Sequence, residues 1–433
     1  MSILVVGAGI SGHGAARLAR RRGMEAVVYD RDPETLSDLA QEGFRTLGGE
    51  WTTDALREAE VVVLSPGVAE HTPPVRDAIA AGLDVWSELE FASRHTELPI
   101  LAVTGTNGKT TTTGLVSDML TRSGKKAATA GNIGIALSDV VDEPWEVLVV
   151  EASSFQLRFI ESFRPRIAVV LNVAEDHLDW HRSVAAYRES KARICENQRA
   201  DDLLVFGADD EGATLLASRA RARTRPVSGR HLPVGGAGVE EGRLHLGDLV
   251  LPIGVLAVSD PAYLVDLAAA GLAALEAGAE LAAVEMALLA FRPAAHRRTV
   301  VGEWRGVLWV DDSKATNPHA AIASIRSYPC VVLLAGGRNK GLDLTDMVRQ
   351  PNLKAVVALG EARDEIMEAA SVPSVAAETI EEAVAFAFSL ADPGDTVLLA
   401  PGCASFDMFE SYAARGEAFG TAVRSRAGAA WPR

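Results

Sequence analysis

The amino-acid sequence predicts an α/β protein of three consecutive domains, and three observations lead there. Short buried-strand patterns alternate with helical stretches, as in parallel sheets joined by crossover helices. The alternation restarts near Ile100 and again near His296. At 433 residues the chain is also too long for one ordinary core. The expected divisions are 1–93, 94–294 and 295–433, with Pro293 and the Arg297-Arg298 pair marking the last junction.

In the first domain, strands are expected at 3–6, 26–29, 61–64 and 83–86, with helices over 14–22 and 73–81, a Rossmann-like unit. The second domain should have strands at 100–104, 146–150 and 166–171 around a P-loop-type phosphate site. Its 223–254 stretch is rich in glycine and proline and reads as small β structure or long loops. The Ala/Leu-rich stretch 264–291 is broken by Asp266, Glu276, Glu280 and Glu285. It reads as packed helix, too polar to span a bilayer. The third domain, again Rossmann-like, should have strands at 307–311, 330–335, 354–359 and 395–400, and helices over 317–326, 362–370, 379–390 and 405–415.

A net charge of −16 argues against a general nucleic-acid or membrane-surface binder, so anionic ligands would need local basic pockets. Cys195, Cys330 and Cys403 are widely separated and odd in number, which suggests a reducing compartment. The strand pattern at the N-terminus leaves no room for a signal peptide, and a cytoplasmic protein acting as a monomer is expected.

The most informative stretch is 101–112, LAVTGTNGKTTT. A strand, a glycine loop, Lys-Thr and a helix in succession make a phosphate cradle of inward-turned N–H groups at a helix start. Lys109 can reach the β/γ-phosphates, and the Thr110 hydroxyl can ligate Mg²⁺. Valine stands at 103, where a strict P-loop begins with glycine. The strands expected at 146–150 and 166–171 lead into Glu151 and into Asn172-Val-Ala-Glu-Asp176-His177. Loops at the carboxyl edge of a parallel sheet converge, so Glu151, Asp176 and His177 should approach a bound triphosphate. Mg²⁺ takes oxygen ligands, and Glu151 with Thr110 would serve. His177 reads equally as a hydrogen-bonded structural histidine. Near the N-terminus, Gly7-Ala-Gly9-Ile10-Ser11-Gly12 follows a strand and Asp30 ends the next one. This fits a dinucleotide or any nucleoside diphosphate, and Ser65-Pro66-Gly67 lies on the same edge. A nicotinamide or flavin oxidoreductase would leave the Gly-Lys-Thr loop without a role.

Six separated motifs together carry a family resemblance. GTNGKTTT, GNIG (131–134), EASSFQL (151–157), NVAEDHLD (172–179), DDSKATNP (311–318) and APGCASFDMFESYAARGEAF (400–419) resemble the Mur ligase superfamily. The SSFQL run and the last segment are most similar to its D-glutamate-adding branch. The resemblance implies an ATP-dependent amide ligase of peptidoglycan assembly, acting on UDP-N-acetylmuramoyl-L-alanine and D-glutamate. It implies ATP binding by Gly105, Thr106, Asn107, Gly108, Lys109, Thr110 and Thr111. Thr110 and Glu151 would hold one Mg²⁺ and His177 a second, with Lys191 carbamylated as a further ligand. Lys109, His177 and Lys191 would form the catalytic group. UDP-substrate contacts would come from Gly9, Ile10, Ser11, Gly12, Arg31, Ser65, Pro66, Gly67, Asn132, Ser153 and Ser154. Lys314, Thr316, Lys340, Ser405 and Phe406 would meet D-glutamate or phosphate, and His296 with Arg297 the nucleotide. Two departures stand out. Asp30-Arg31-Asp32 replaces a Thr-Arg pattern, and Asp266 stands where an amide is usual. An acid near a nucleotide is unfavourable unless it faces a ribose hydroxyl.

Overall fold

The computed structural model describes residues 1–428. They form two compact units, one of 1–173 with 183–291 and one of 174–182 with the described residues from 292 onward. The first unit contains two parallel sheets. One has the order β3-β2-β1-β4-β5, from β1 (Ser2–Val6), β2 (Glu25–Asp30), β3 (Arg45–Gly48), β4 (Val61–Leu64) and β5 (Asp84–Ser87). The other has the order β11-β10-β9-β6-β8-β7, from β6 (Ile100–Thr104), β7 (Ala127–Gly131), β8 (Val147–Glu151), β9 (Ile167–Val170), β10 (Leu203–Gly207) and β11 (Arg223–Val227). A three-stranded antiparallel sheet follows: β12 (Gly238–Glu240), β13 (Arg243–Leu246) and β14 (Leu249–Pro252). In the second unit β15 (Thr299–Trp304) runs antiparallel to β16 (Val307–Asp311). The remaining strands, β17 (Val331–Gly336), β18 (Leu353–Leu359), β19 (Ser374–Ala377) and β20 (Thr396–Gly402), are parallel in the order β15-β16-β20-β17-β18-β19.

The central strands are near-continuous apolar runs, as double-sided burial requires. β4 is Val-Val-Val-Leu and β9 is Ile-Ala-Val-Val, buried throughout. Both sheets of the first unit contribute to one apolar cluster, from Ile3 and Val63 to Ala102 and Val170. A second cluster lies under the helices Lys109–Arg122, Pro261–Glu276 and Leu281–Ala290. The 264–291 stretch is thus two packed helices. Among the described residues no helix is long and apolar enough to cross a membrane.

Two differences from the sequence reading have physical causes. The apolar interior strand β10 (Leu-Leu-Val-Phe-Gly) and the edge strands β15 and β19 were not anticipated; β3, β7 and β11, likewise unexpected, are edge strands of their sheets. With a neighbour on one side only they need little apolar content, and they read Arg-Thr-Leu-Gly, Ala-Ala-Thr-Ala-Gly and Arg-Thr-Arg-Pro-Val. The helix expected over 405–415 instead starts at Tyr412 and runs to Ala427. Residues 405–411 wind as turns, with Phe409 N–H donating to Ser405 O at 2.8 Å. Ser411 is extended and its hydroxyl accepts from Ala414 N–H, so it caps the helix.

Candidate functional site

β6 ends in Thr104 and the helix Lys109–Arg122 begins five residues later, with Gly108 at φ +88° as its cap. The intervening loop is pinned from β9's side. Asn172 Oδ1 accepts from Asn107 N–H at 2.8 Å, Asn172 Nδ2 donates to Asn107 O at 3.1 Å, and Thr106 N–H donates to Asn172 O at 3.0 Å. Lys109 Nζ folds over the loop, donating to Gly105 O at 2.8 Å and Thr106 O at 3.1 Å. A second ammonium, Lys191 Nζ, reaches Gly105 O at 2.7 Å from the helix Val184–Ala192. Lys191 is 1% exposed and lies against the Tyr187 ring, whose hydroxyl meets Thr106 Oγ1 at 3.0 Å.

Glu151 forms the floor beside this loop. It is the last residue of β8, in register with Val103 of β6 and Gly131 of β7. Its Oε2 accepts from Thr110 Oγ1 at 2.9 Å and its Oε1 from Asn132 Nδ2 at 2.8 Å. The carboxylate is buried, while Thr110 and Asn132 are exposed. A buried acid thus meets a hydroxyl at the mouth of a phosphate loop. That donor set of hard oxygens suits Mg²⁺. Ser153 caps the helix Ser154–Arg158 in a capping box with Gln156, so its hydroxyl has a structural task here. Asp266 is buried against the loop: a Cβ at Gly108 would press on its carboxylate.

The glycine loop after β1 is held by two acceptor–donor links. Asp30 Oδ2 accepts from Ala8 N–H at 2.7 Å, and Ser65 Oγ donates to Gly7 O at 2.9 Å. Asp30 Oδ1 takes Asp32 N–H at 2.9 Å, so the Asp30-Arg31-Asp32 departure folds into a local turn with Arg31 exposed. Around Gly9 the space is open, and Ile10 is exposed.

In the second unit, Asp176 gathers three donors: Lys340 Nζ at 2.8 Å, Asn317 Nδ2 at 3.0 Å and His177 N–H at 2.8 Å. Burial alone would raise its carboxyl, but His177 and Lys340 outweigh that and hold it below the usual carboxylate range. His177 occupies a left-handed conformation at φ +54°. His296 Nδ1 pairs with Asp311 Oδ2 at 2.7 Å, and Lys314 N–H donates to His296 O. Lys314 Nζ stands 5.4 Å from the Tyr412 ring centroid. Arg415 is 2% exposed and donates to Ser313 Oγ, Ser313 O and Cys403 O at 2.9, 2.8 and 3.2 Å. Burial lowers its guanidinium to about 10. Ser405 is buried nearby in sequence, Thr316 half-buried, and Phe406 66% exposed.

The structure therefore brings Lys109, Thr110, Asn132, Glu151 and Lys191 together in one unit. It places His177 in the other unit, beside Asp176 and Lys340. Sequence reasoning missed Tyr187, Asn317, Tyr412 and Arg415. A buried arginine inside Tyr-Ala-Ala-Arg-Gly carries no periodic signal. Asn317 was placed inside the helix expected over 317–326; it is instead the cap, its Oδ1 accepting from Ala320 N–H.

Family models match in the same order as the sheets: a MurD-like N-terminal domain of Mur ligases over residues 1–87, the Mur ligase middle domain over 103–229 and the Mur ligase glutamate ligase domain over 296–403. The chain belongs to the Mur ligase family. A UDP-N-acetylmuramoylalanine–D-glutamate ligase of Frankia casuarinae is 44% identical over 450 residues, covering 99% of this chain and 95% of that one. The protein of the same name from Mycobacterium avium is 40% identical over 476 residues, covering 98% and 96%. The solved MurF ligase of Thermotoga maritima in complex with ADP shares the fold, with a TM-score of 0.59 at 18% identity over 93% of this chain and 96% of that one.

Proposed function

We propose that this chain joins D-glutamate to UDP-N-acetylmuramoyl-L-alanine at the expense of ATP, a step of cytoplasmic peptidoglycan precursor synthesis. One observation carries the chemistry: the phosphate loop, the Thr110–Glu151 pair and the buried Lys191 ammonium lie around one loop. Near-full-length likeness to D-glutamate ligases supports the choice of substrates.

A carboxylate resists attack by an amine. Transfer of the ATP γ-phosphoryl group to the substrate carboxylate gives an acyl phosphate. The D-glutamate amine then attacks the acyl carbon to form the C–N bond, the acyl C–O bond breaks with its electron pair leaving on phosphate, and the amine proton is released. Lys109 lies where charge on the transferring phosphoryl must be balanced. Thr110 and Glu151 would hold Mg²⁺, which neutralises charge on the triphosphate when bound. Lys191 as an ammonium opposes a cation. Deprotonated to the amine and then carbamylated by CO₂, with two protons lost in all from the ammonium, it would offer anionic oxygens instead. For His177, the second-magnesium role rests on the resemblance alone. Asn132 and the two loops at Gly9–Gly12 and Ser65–Gly67 would hold the UDP-substrate, with Arg31 beside them. In the second unit, Lys314, Thr316, Lys340 and Ser405 would meet D-glutamate or phosphate, with His296 and Arg297 toward the nucleotide.

The test is phosphate release from ATP with UDP-N-acetylmuramoyl-L-alanine and a panel of amino acids. Release that requires both the UDP-substrate and D-glutamate is expected. Turnover that prefers L-alanine or a diamino acid, or that needs no UDP-substrate, would overturn the reading.

A further inference from the structure

Two carboxylates on the short helix Glu88–Ser93 face the part of the first unit beyond residue 94, and they do so differently. Glu90 accepts from Glu161, Ser162 and Phe163 N–H, from Ser162 Oγ and from Arg94 Nε. It is fully paid in donors and functions as a plain structural anchor. Glu88 is 0% exposed, and Ser138 N–H donates to its Oε1 at 2.6 Å. Its Oε2 and the Ser138 hydroxyl are both buried without a hydrogen-bond partner. Ser138 is gripped from a second side, since Arg21 Nη2 donates to its carbonyl at 2.6 Å.

This junction sits between two substrate-binding elements. Arg21 ends the helix Ile10–Arg21, which opens at the glycine loop. Gly14 of that helix packs so closely that a Cβ there would stand 2.8 Å from Ala136 Cβ. Ala136 closes the 131–136 loop that bears Asn132. That loop is short and braced: Gly131 N–H donates to Ile135 O at 3.0 Å and Asn132 N–H to Glu151 O at 2.8 Å. The backbone of the phosphate loop for ATP is held by Asn172, while Glu151 joins Asn132 to Thr110 at its edge.

We propose that Glu88 is a positioning residue for the UDP-substrate: by accepting the Ser138 N–H it fixes the Asn132 loop relative to the glycine loop at 7–12. This rests on the function proposed above, in which those two loops bind that substrate. Burial, against the opposing pull of Ser138 and with the nearby Asp139 adding to it, pushes the Glu88 carboxyl up to about 7. The bond from Ser138 N–H needs only an acceptor oxygen, which a neutral carboxyl or an amide also provides.

Two variants separate acceptor from shape. Glu88→Gln keeps the oxygen. Glu88→Met fills the same space without one and avoids burying an unpaired charge. In steady-state assays on the full chain, Glu88→Met is expected to raise KM for UDP-N-acetylmuramoyl-L-alanine roughly tenfold, about what one lost buried hydrogen bond is worth. KM for ATP and D-glutamate should stay within about twofold, and Glu88→Gln should track wild type. Equal KM values for the UDP-substrate in Met and wild type, a rise in all three KM values together, or a Gln variant as impaired as Met would each overturn the proposal. Wild-type turnover that does not need the UDP-substrate would instead defeat the proposed function itself.

Discussion

Gly108→Ala tests the phosphate loop most directly. Gly108 has φ +88°, a left-handed conformation that costs an alanine about 1–2 kcal/mol. The new methyl group would also press on the Asp266 carboxylate and stand 2.7 Å from Leu171 Cδ1. Asp266 is 5% exposed and Leu171 1%, so neither can swing into solvent. Overpacking of this kind adds about 1–3 kcal/mol. The expected loss is therefore about 2–5 kcal/mol, split between global stability and the loop's fitness for nucleotide. Urea denaturation measures the first, and ADP binding by calorimetry the second. Gly108→Ala with Asp266→Ala removes one of the two overlaps and leaves the backbone strain, so it should recover about 1 kcal/mol relative to the sum of the single variants. A Gly108→Ala protein that loses less than about 1 kcal/mol and binds ADP as wild type does would refute the reasoning. So would strict additivity of the two substitutions.

Three further outcomes are expected. Lys191→Ala should be nearly inactive and partly rescued by short carboxylates that occupy the place of a carbamate; full activity without rescue would remove that role. Glu90→Ala strands three backbone N–H groups and should cost about 3–5 kcal/mol in denaturant unfolding. Burial opposes ionisation of Glu90, yet its donors hold its carboxyl below the ordinary value. Its stabilisation is thus complete above the unfolded carboxylate pKa and lost as pH falls through the lower folded value, a slope absent in the Ala variant. Glu88 has the opposite sign. Raised from 4.5 to about 7, it favours the protonated folded state, so wild type should lose about 3 kcal/mol relative to Glu88→Gln as pH rises from about 4.5 to above 7. Parallel stability curves for the two proteins would contradict this.

Much of this molecule could be read from its sequence because buried parallel strands are apolar runs and phosphate loops have fixed grammar. β4 and β6 were placed to the residue, and Thr110 and Glu151 do meet. What was hidden depends on pairing across the chain. Edge strands such as β7 carry little apolar signal. The Asp176–Lys340 bond joins residues 164 positions apart, and nothing local in Asn-Lys-Gly marks a partner. The turn at 405–411 was mistaken for helix: Phe406 and Phe409 stand three apart, while Ser411 delays the start. Asp266 looked like a liability beside a nucleotide. Its burial against Gly108 makes it part of the loop's packing.

The path of the chain limits how the protein can be cut. Residues 174–182 lie within the central stretch of sequence but belong to the unit built from 292 onward. The polypeptide thus passes between units three times. A gene fragment encoding only 292–433 would strip Lys340 and Asn317 of their shared acid and leave a half-buried ammonium to find a new anion. Autonomous expression of that unit calls for grafting the nine-residue segment onto it, and in a protein split at residue 291 the longer piece must supply that segment in trans.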